Sequence, residues 1–124
     1  MAAPSGGTPA PTAITLHQKS QVLEISFADG KKFELPSEFL RVHSPSAEVR
    51  GHGPGQEVLQ AGKQAVKIVA VEPVGQYAIQ LRFSDGHDTG LYSWDLLYDF
   101  GERQATMWPQ YLKRLKEAGA SRDA

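Results

Sequence analysis

Leu23-Glu24-Ile25-Ser26-Phe27-Ala28-Asp29-Gly30 recurs 56 residues later as Ile79-Gln80-Leu81-Arg82-Phe83-Ser84-Asp85-Gly86. In both copies apolar residues alternate with polar ones, the period of a half-buried strand, and each copy ends on Asp-Gly. Asp-Gly after such a run predicts a two-residue hairpin turn, because the turns that match strand twist need positive φ angles. The correspondence continues past the turn: Leu35 matches Leu91 and Ser37 matches Ser93, each serine standing where a helix can start. A strand, a turn, a strand and a capped helix used twice predict one compact domain with a shared core.

Working outward, Ile14 and Leu16 alternate with polar neighbours ahead of the first copy, and Val66, Ile68, Ala70 and Val71 form a strand ahead of the second. In the first unit Phe33 and Leu35 return toward the core. Pro36-Ser37-Glu38 then opens a short helix over Phe39, Leu40 and Val42, with Ser37 as the N-cap. In the second, Pro73 and Gly75 turn the chain, and Tyr77, Ile79, Leu81 and Phe83 alternate. Thr89 to Tyr92 closes the meander, and Ser93 caps a helix carrying Trp94, Leu96, Leu97 and Phe100 that Gly101 ends. A last helix spans Thr106 to Ala118, with Pro109 in its first turn and Trp108, Tyr111, Leu112 and Leu115 at helical spacing. Between the units, Ser44 to Gln64 has no period and reads as a long loop, which in a compact domain is functional or mobile. The predicted class is α+β: two βββα-type units forming mainly antiparallel sheet covered by helices, plus a C-terminal helix.

Residues 1–12, rich in Ala, Pro, Gly, Ser and Thr, predict a disordered tail; residues 13–119 form the folded domain, and residues 120–124 a flexible end. The first residues have neither the basic start nor the apolar stretch of a signal peptide, and no apolar run approaches the roughly 20 residues that cross a bilayer. Thirteen Lys and Arg against 14 Asp and Glu leave a net charge of −1, so no global field favours nucleic acid or an anionic membrane. Without cysteine there is no disulfide, thiolate nucleophile or cysteinyl metal site. A cytoplasmic location is the expectation.

The titrating side chains near neutral pH are four histidines. His87 stands between Asp85-Gly86 and Asp88, so imidazole and carboxylate crowd one hairpin tip, either as a metal or acid/base cluster or as the ordinary polarity of a turn. His43 and His52 flank the long loop and approach His87 if that loop folds over the sheet, although three scattered histidines fall short of the four ligands of a structural zinc site. His17 lies beside a strand. Ser93 near His87 and Asp95 suggests a hydrolase, but no Gly-x-Ser-x-Gly elbow surrounds it and an N-cap role suits it better. Gly51 to Gly55 lacks the Gly-Lys-Ser/Thr of a phosphate-binding loop and reads as a turn. Trp94, Tyr98, Phe100, Trp108 and Tyr111 belong mostly to the core, with one or two left over as anchors for a partner.

Phe83-Ser84-Asp85-Gly86-His87-Asp88-Thr89-Gly90-Leu91-Tyr92-Ser93-Trp94, with Leu40-Arg41-Val42-His43-Ser44-Pro45-Ser46, resembles the gamma-butyrobetaine hydroxylase-like N-terminal domain family. The likeness spans roughly Thr12 to Ala118. It implies a stand-alone bacterial domain of unknown function, of a kind also found at the N-terminus of carnitine-pathway 2-oxoglutarate oxygenases and the C-terminus of some Mrp-type iron–sulfur carrier ATPases. The oxygenase's catalytic iron lies in another domain, so the resemblance implies no enzymatic activity here. In the hydroxylases this domain carries a zinc site of three cysteines and a histidine. Carried over, the cysteines fall on Ser44, Ser46 and Val49 and the histidine on His87, which implies a lost zinc site and no cofactor.

Residues and resemblance together predict a non-catalytic accessory or protein-interaction domain with a protein partner, no nucleic acid and no membrane. Arg50, His52, His87 and Trp94 are the expected interaction residues. The competing class is a metal-handling module in iron or iron–sulfur metabolism, or an accessory to a 2-oxoglutarate oxygenase, for which His87, His43 and His52 are the metal candidates.

Overall fold

The computed structural model describes residues 8–51 and 57–123. The first unit is an antiparallel meander of β1 (Pro11–His17), β2 (Val22–Phe27) and β3 (Lys32–Pro36), followed by α1 (Ser37–Val42). A second meander of β4 (Ile68–Val74), β5 (Ala78–Phe83) and β6 (Leu91–Ser93) leads into α3 (Trp94–Glu117). Between them lies α2 (Ala47–Arg50), which the aperiodic reading of this stretch misses: Ser46 caps it, accepting a hydrogen bond from Glu48 N–H at 3.2 Å. β1 begins at Pro11, so the last two residues of the expected 1–12 tail lie in that strand, Pro11 opposite Phe27 and Thr12 at a bulge; residues 1–7 lie outside the described residues.

The repeat is visible in atomic detail, though its turns differ from the expectation. Gly30 N–H donates to the Phe27 carbonyl at 3.0 Å and Phe27 N–H to the Lys31 carbonyl at 2.8 Å; Gly86, Phe83 and His87 repeat the pattern at 3.0 Å for both bonds. These are three-residue loops, a turn closed by a bulged glycine, in which only the glycine needs positive φ: 90° at Gly30 and 89° at Gly86. The aspartates keep negative φ and use Oδ1 to accept the N–H two residues on, from Lys31 at 3.0 Å and His87 at 3.2 Å.

Three further expectations are corrected. Pro73 lies inside β4 opposite Ile79, tolerated because β4 is an edge strand, and the turn sits at Gly75 with φ 59°. Ser37 does not cap α1. Pro36 occupies that position, and Ser37 Oγ instead donates to Gln21, whose side-chain Oε1 lies at 2.7 Å. Gly101 does not end a helix, and the two predicted C-terminal helices are one, α3, with Pro109 in its interior. The glycine is needed for close approach: a Cβ there would lie 2.2 Å from the Phe33 ring of β3.

Leu23, Ile25 and Phe27 of β2 and Ile79, Leu81 and Phe83 of β5 join Leu35, Phe39, Leu40, Tyr92, Leu97 and Phe100 in one buried cluster, so both sheets, α1 and α3 share a core. Gln21, the one described non-glycine residue with positive φ (53°), ties the units together: its Oε1 also accepts Ile68 N–H at 2.9 Å.

Candidate functional site

The hairpin tip of the second unit is gripped by residues that follow the core of the first. α1 places Arg41 over this tip, where Nε donates to Asp85 Oδ2 at 2.9 Å and Nη1 to Gln60 Oε1 at 3.0 Å, while Lys63 Nζ reaches the same Asp85 oxygen at 3.1 Å. Arg41 is buried, which an arginine tolerates only when paired. Burial works to raise the Asp85 carboxyl, but the His87 N–H, Lys63 and Arg41 outweigh it and hold it below the ordinary carboxylate value. The equivalent Asp29 of the first unit has a neutral partner instead, the Tyr98 hydroxyl, which donates to Oδ2 at 2.6 Å.

Beside this ion pair, His87 is buried with both ring nitrogens engaged. Nε2 lies 2.8 Å from Ser44 Oγ and Nδ1 lies 3.2 Å from Glu48 Oε1. Glu48 accepts only, so Nδ1 carries the hydrogen and Nε2 accepts the Ser44 hydroxyl. Burial, then the Arg41 charge, pulls the His87 pKa below 6.5 against the opposing pull of Glu48 and Asp85. Ser44 Oγ also accepts Ser46 N–H at 3.2 Å, and Ser46 Oγ pairs with Thr89 Oγ1 at 2.7 Å.

Serine, imidazole and carboxylate in this order have the connectivity of a nucleophile, its base and an orienting group. Acyl transfer further requires a route to the oxygen and donors for an oxyanion. Ser44 is 1 % exposed, and a Cβ on Gly90 would stand 2.5 Å from its Oγ, so backbone covers the hydroxyl. The neighbouring Ser46 N–H, a donor of the kind an oxyanion would need, is spent on Oγ itself. The constellation is built as a clasp between the α1–α2 connection and the β5–β6 hairpin.

The positions onto which the family's zinc ligands fall are thus partly brought together, Ser44 with His87, while Ser46 pairs with the hairpin residue Thr89 and Val49 is buried in α2. They do not fit a zinc ion: two hydroxyls and an alkyl side chain are no ligand set, and both His87 nitrogens already have partners. Among the described residues no group of three or more His, Asp or Glu is placed to hold a metal. His43 is held separately: Nδ1 lies 2.9 Å from the Phe39 carbonyl, and the ring packs tilted against Phe39 and edge-on against Phe100 and Tyr111. His17 on the edge strand β1 pairs with Glu24 on the neighbouring β2, and His52 lies outside the described residues.

Of the expected interaction residues, Arg50 is exposed at the end of α2 and His87 is inside the clasp. Trp94 is corrected: it is buried in the common core and its Nε1 donates to the Gln76 carbonyl at 2.7 Å, so it offers no anchor. Ser93 caps α3 as its position predicts, accepting Leu96 N–H at 3.1 Å. Sequence reasoning missed Arg41 and Glu48. Arg41 had a signal, a lone charge in the apolar run Phe39-Leu40-Arg41-Val42, which must find a partner; exposed Glu48 had none.

Among the described residues no helix is long and apolar enough to cross a membrane. A search of curated proteins finds no match. Two solution structures determined by NMR, described only as of "the protein", resemble this chain with TM-scores of 0.82. One is 52 % identical, covering 94 % of this chain and 92 % of its own; the other is 53 % identical, covering 97 % and 89 %. A crystal structure of a protein of unknown function from Acidithiobacillus ferrooxidans, belonging to the DUF971 family, is 41 % identical over 70 % of this chain and 86 % of its own, with a TM-score of 0.59. The family model described as gamma-butyrobetaine hydroxylase-like, N-terminal, matches residues 14–98, which contain the first meander from the middle of β1, the whole second meander and the clasp. With the Arg41–Asp85 and Ser44–His87 pairs built from the segments that carry this match, the chain belongs to the gamma-butyrobetaine hydroxylase-like N-terminal domain family.

Proposed function

We propose that this domain acts without catalysis, as an accessory module that binds another protein through the segment running from His43 to Gln60. The observation that carries this reading is how that segment is held. Ser44 is fastened to His87, Gln60 to Arg41, and Val58 N–H to the Val49 carbonyl at 2.7 Å, so its described parts are anchored to the core at both ends. Anchoring of this kind lowers the ordering cost of binding. Between the anchors the side chains of Arg50 and Val58 are exposed, a cation and a large apolar group on one rim. Arginine is among the side chains enriched at interface cores and hot spots, and Val58 adds apolar area beside it. The sealed Ser44 supports the same reading from the side of chemistry, because the Ser44–His87 pair has no room for a substrate.

The donor set gives the metal-handling alternative no comparable support, since His87 and His43 serve different neighbours. The test is capture from lysate of the source cell by the tagged domain, compared with Arg50→Glu and Val58→Asp variants. Both substitutions fall on exposed side chains, so folding should be retained. Loss of a reproducible partner in both variants supports the reading; unchanged capture removes the segment from it.

A further inference from the structure

On the face of α3 opposite the β3 contact, the domain has a cleft of about 260 Å³ bordered by Val42, Leu96, Phe100, Met107 and Tyr111. It is just smaller than the roughly 300–1,000 Å³ of drug-sized sites, so an occupant would be small. Three arginines border it. Arg103 is satisfied by Asp99, with three contacts of 2.8 to 3.1 Å, and the pair is neutral as a unit. Arg50 and Arg114 are different: among the described residues neither guanidinium has a hydrogen bond or an ion pair. Glu57 also borders the cleft and is already engaged.

His43 lines the same cleft. Because a carbonyl only accepts, His43 Nδ1 donates to Phe39, which leaves Nε2 as a lone-pair acceptor with no partner among the described residues. The ring is neutral near pH 7, since burial, with the Arg114 and Arg103 charges, lowers its pKa below 6.5. It therefore adds no positive charge to the cleft. Two unpaired guanidinium forks beside apolar walls match one ligand chemistry, a carboxylate on a compact apolar body. A bare inorganic anion would use the forks and leave the apolar wall unfilled.

We infer that the cleft bordered by α3, Arg50 and Val58 is a binding site for a small organic monocarboxylate, with Arg50 and Arg114 holding the carboxylate and Phe100, Met107 and Tyr111 receiving its apolar body. The inference shares Arg50 with the protein-interaction reading, and Arg114, which that reading's variants leave untouched, separates the two. The probe is benzoate, titrated into the full chain at pH 7 and followed by amide and methyl NMR shifts. Benzamide, the same shape without charge, and inorganic phosphate, the charge without the ring, are the controls. Benzoate should shift His43, Phe100 and Met107 in a saturable way, and benzamide and phosphate should bind at least about tenfold more weakly. Arg114→Gln should weaken benzoate about tenfold or more, as loss of a charged hydrogen bond does, and Arg114→Lys by less. Since the Arg114 guanidinium has no hydrogen bond or ion pair among the described residues, both variants should keep the wild-type spectrum elsewhere. Shifts that are absent, that lie outside the cleft, that phosphate reproduces equally, or that survive Arg114→Gln would overturn the inference.

Discussion

Ser44 and His87 are joined by a 2.8 Å hydrogen bond across 43 positions of sequence, and both side chains are buried. The bond fastens the connection after the first unit to the hairpin tip of the second, next to the Arg41–Asp85 ion pair that does the same. The duplicated units thus share a core and are also tied by a polar clasp at one tip. At the other tip, Asp29 is tied to α3 through Tyr98.

Ser44→Ala would leave the buried His87 Nε2 and the Ser46 N–H without their partner. Leaving a buried polar group unsatisfied costs about 1–3 kcal/mol. Urea unfolding should show a lower midpoint with an unchanged m-value, and an unchanged midpoint would mean that the clasp carries no stability.

Gly101→Ala separates the two readings of that glycine by sign. In an exposed helix interior, alanine is favoured over glycine by about 1 kcal/mol. Here the new methyl would meet the Phe33 ring, so the substitution should destabilise by about 1–3 kcal/mol through overpacking. A stabilised variant would show that α3 does not approach β3 as described.

Arg41→Met should cost about 3 kcal/mol, the lower end for breaking a buried ion pair, because Lys63 remains beside Asp85. The Arg41→Met/Asp85→Asn double variant should lose less than the two single losses added, with a coupling of about 0.5–3 kcal/mol in the double-mutant cycle. Strict additivity would deny the pair.

Stability should fall as the solution is acidified from pH 7.5 to 5.5. Burial is the leading cause that lowers both His43 and His87 below the ordinary 6.5 in the folded state. Below 6.5 the unfolded chain therefore binds more protons than the native one, so stability rises with pH through that window and levels off above it. The thermal midpoint should be lower at pH 5.5 than at 7.5, and His43→Phe should reduce the difference. The same midpoint at both values would contradict the burial of the two rings.

The strands and the core were legible because alternation is a local signal: Ile25, Phe27, Leu81 and Phe83 are all buried as their spacing requires. Ser93 was legible as a cap for the same reason. Gly101 was misread because glycine serves both as a helix stop and as a point of close approach, and only the position of Phe33 decides between them. The Asp-Gly dipeptide specifies a turn, but loop length depends on whether aspartate takes positive φ, and here its carboxylate stabilises the negative one. The clasp was legible in its parts and not as a whole: His87 was singled out, while its meeting with Ser44 and Glu48 depends on how the two units pack. Trp94 was misassigned because the sequence does not show that the Gln76 carbonyl waits for its N–H.

The central claim is that Ser44, His87 and Glu48 form a structural clasp and not a catalytic nucleophile. Exposure of the native protein to excess fluorophosphonate, which labels activated serines, followed by intact mass and peptide mapping, tests it most directly. A sealed Ser44, 1 % exposed, predicts no adduct on the folded chain. A stoichiometric adduct on Ser44 that disappears in His87→Ala, with the fold intact, would contradict the account and make the domain an enzyme.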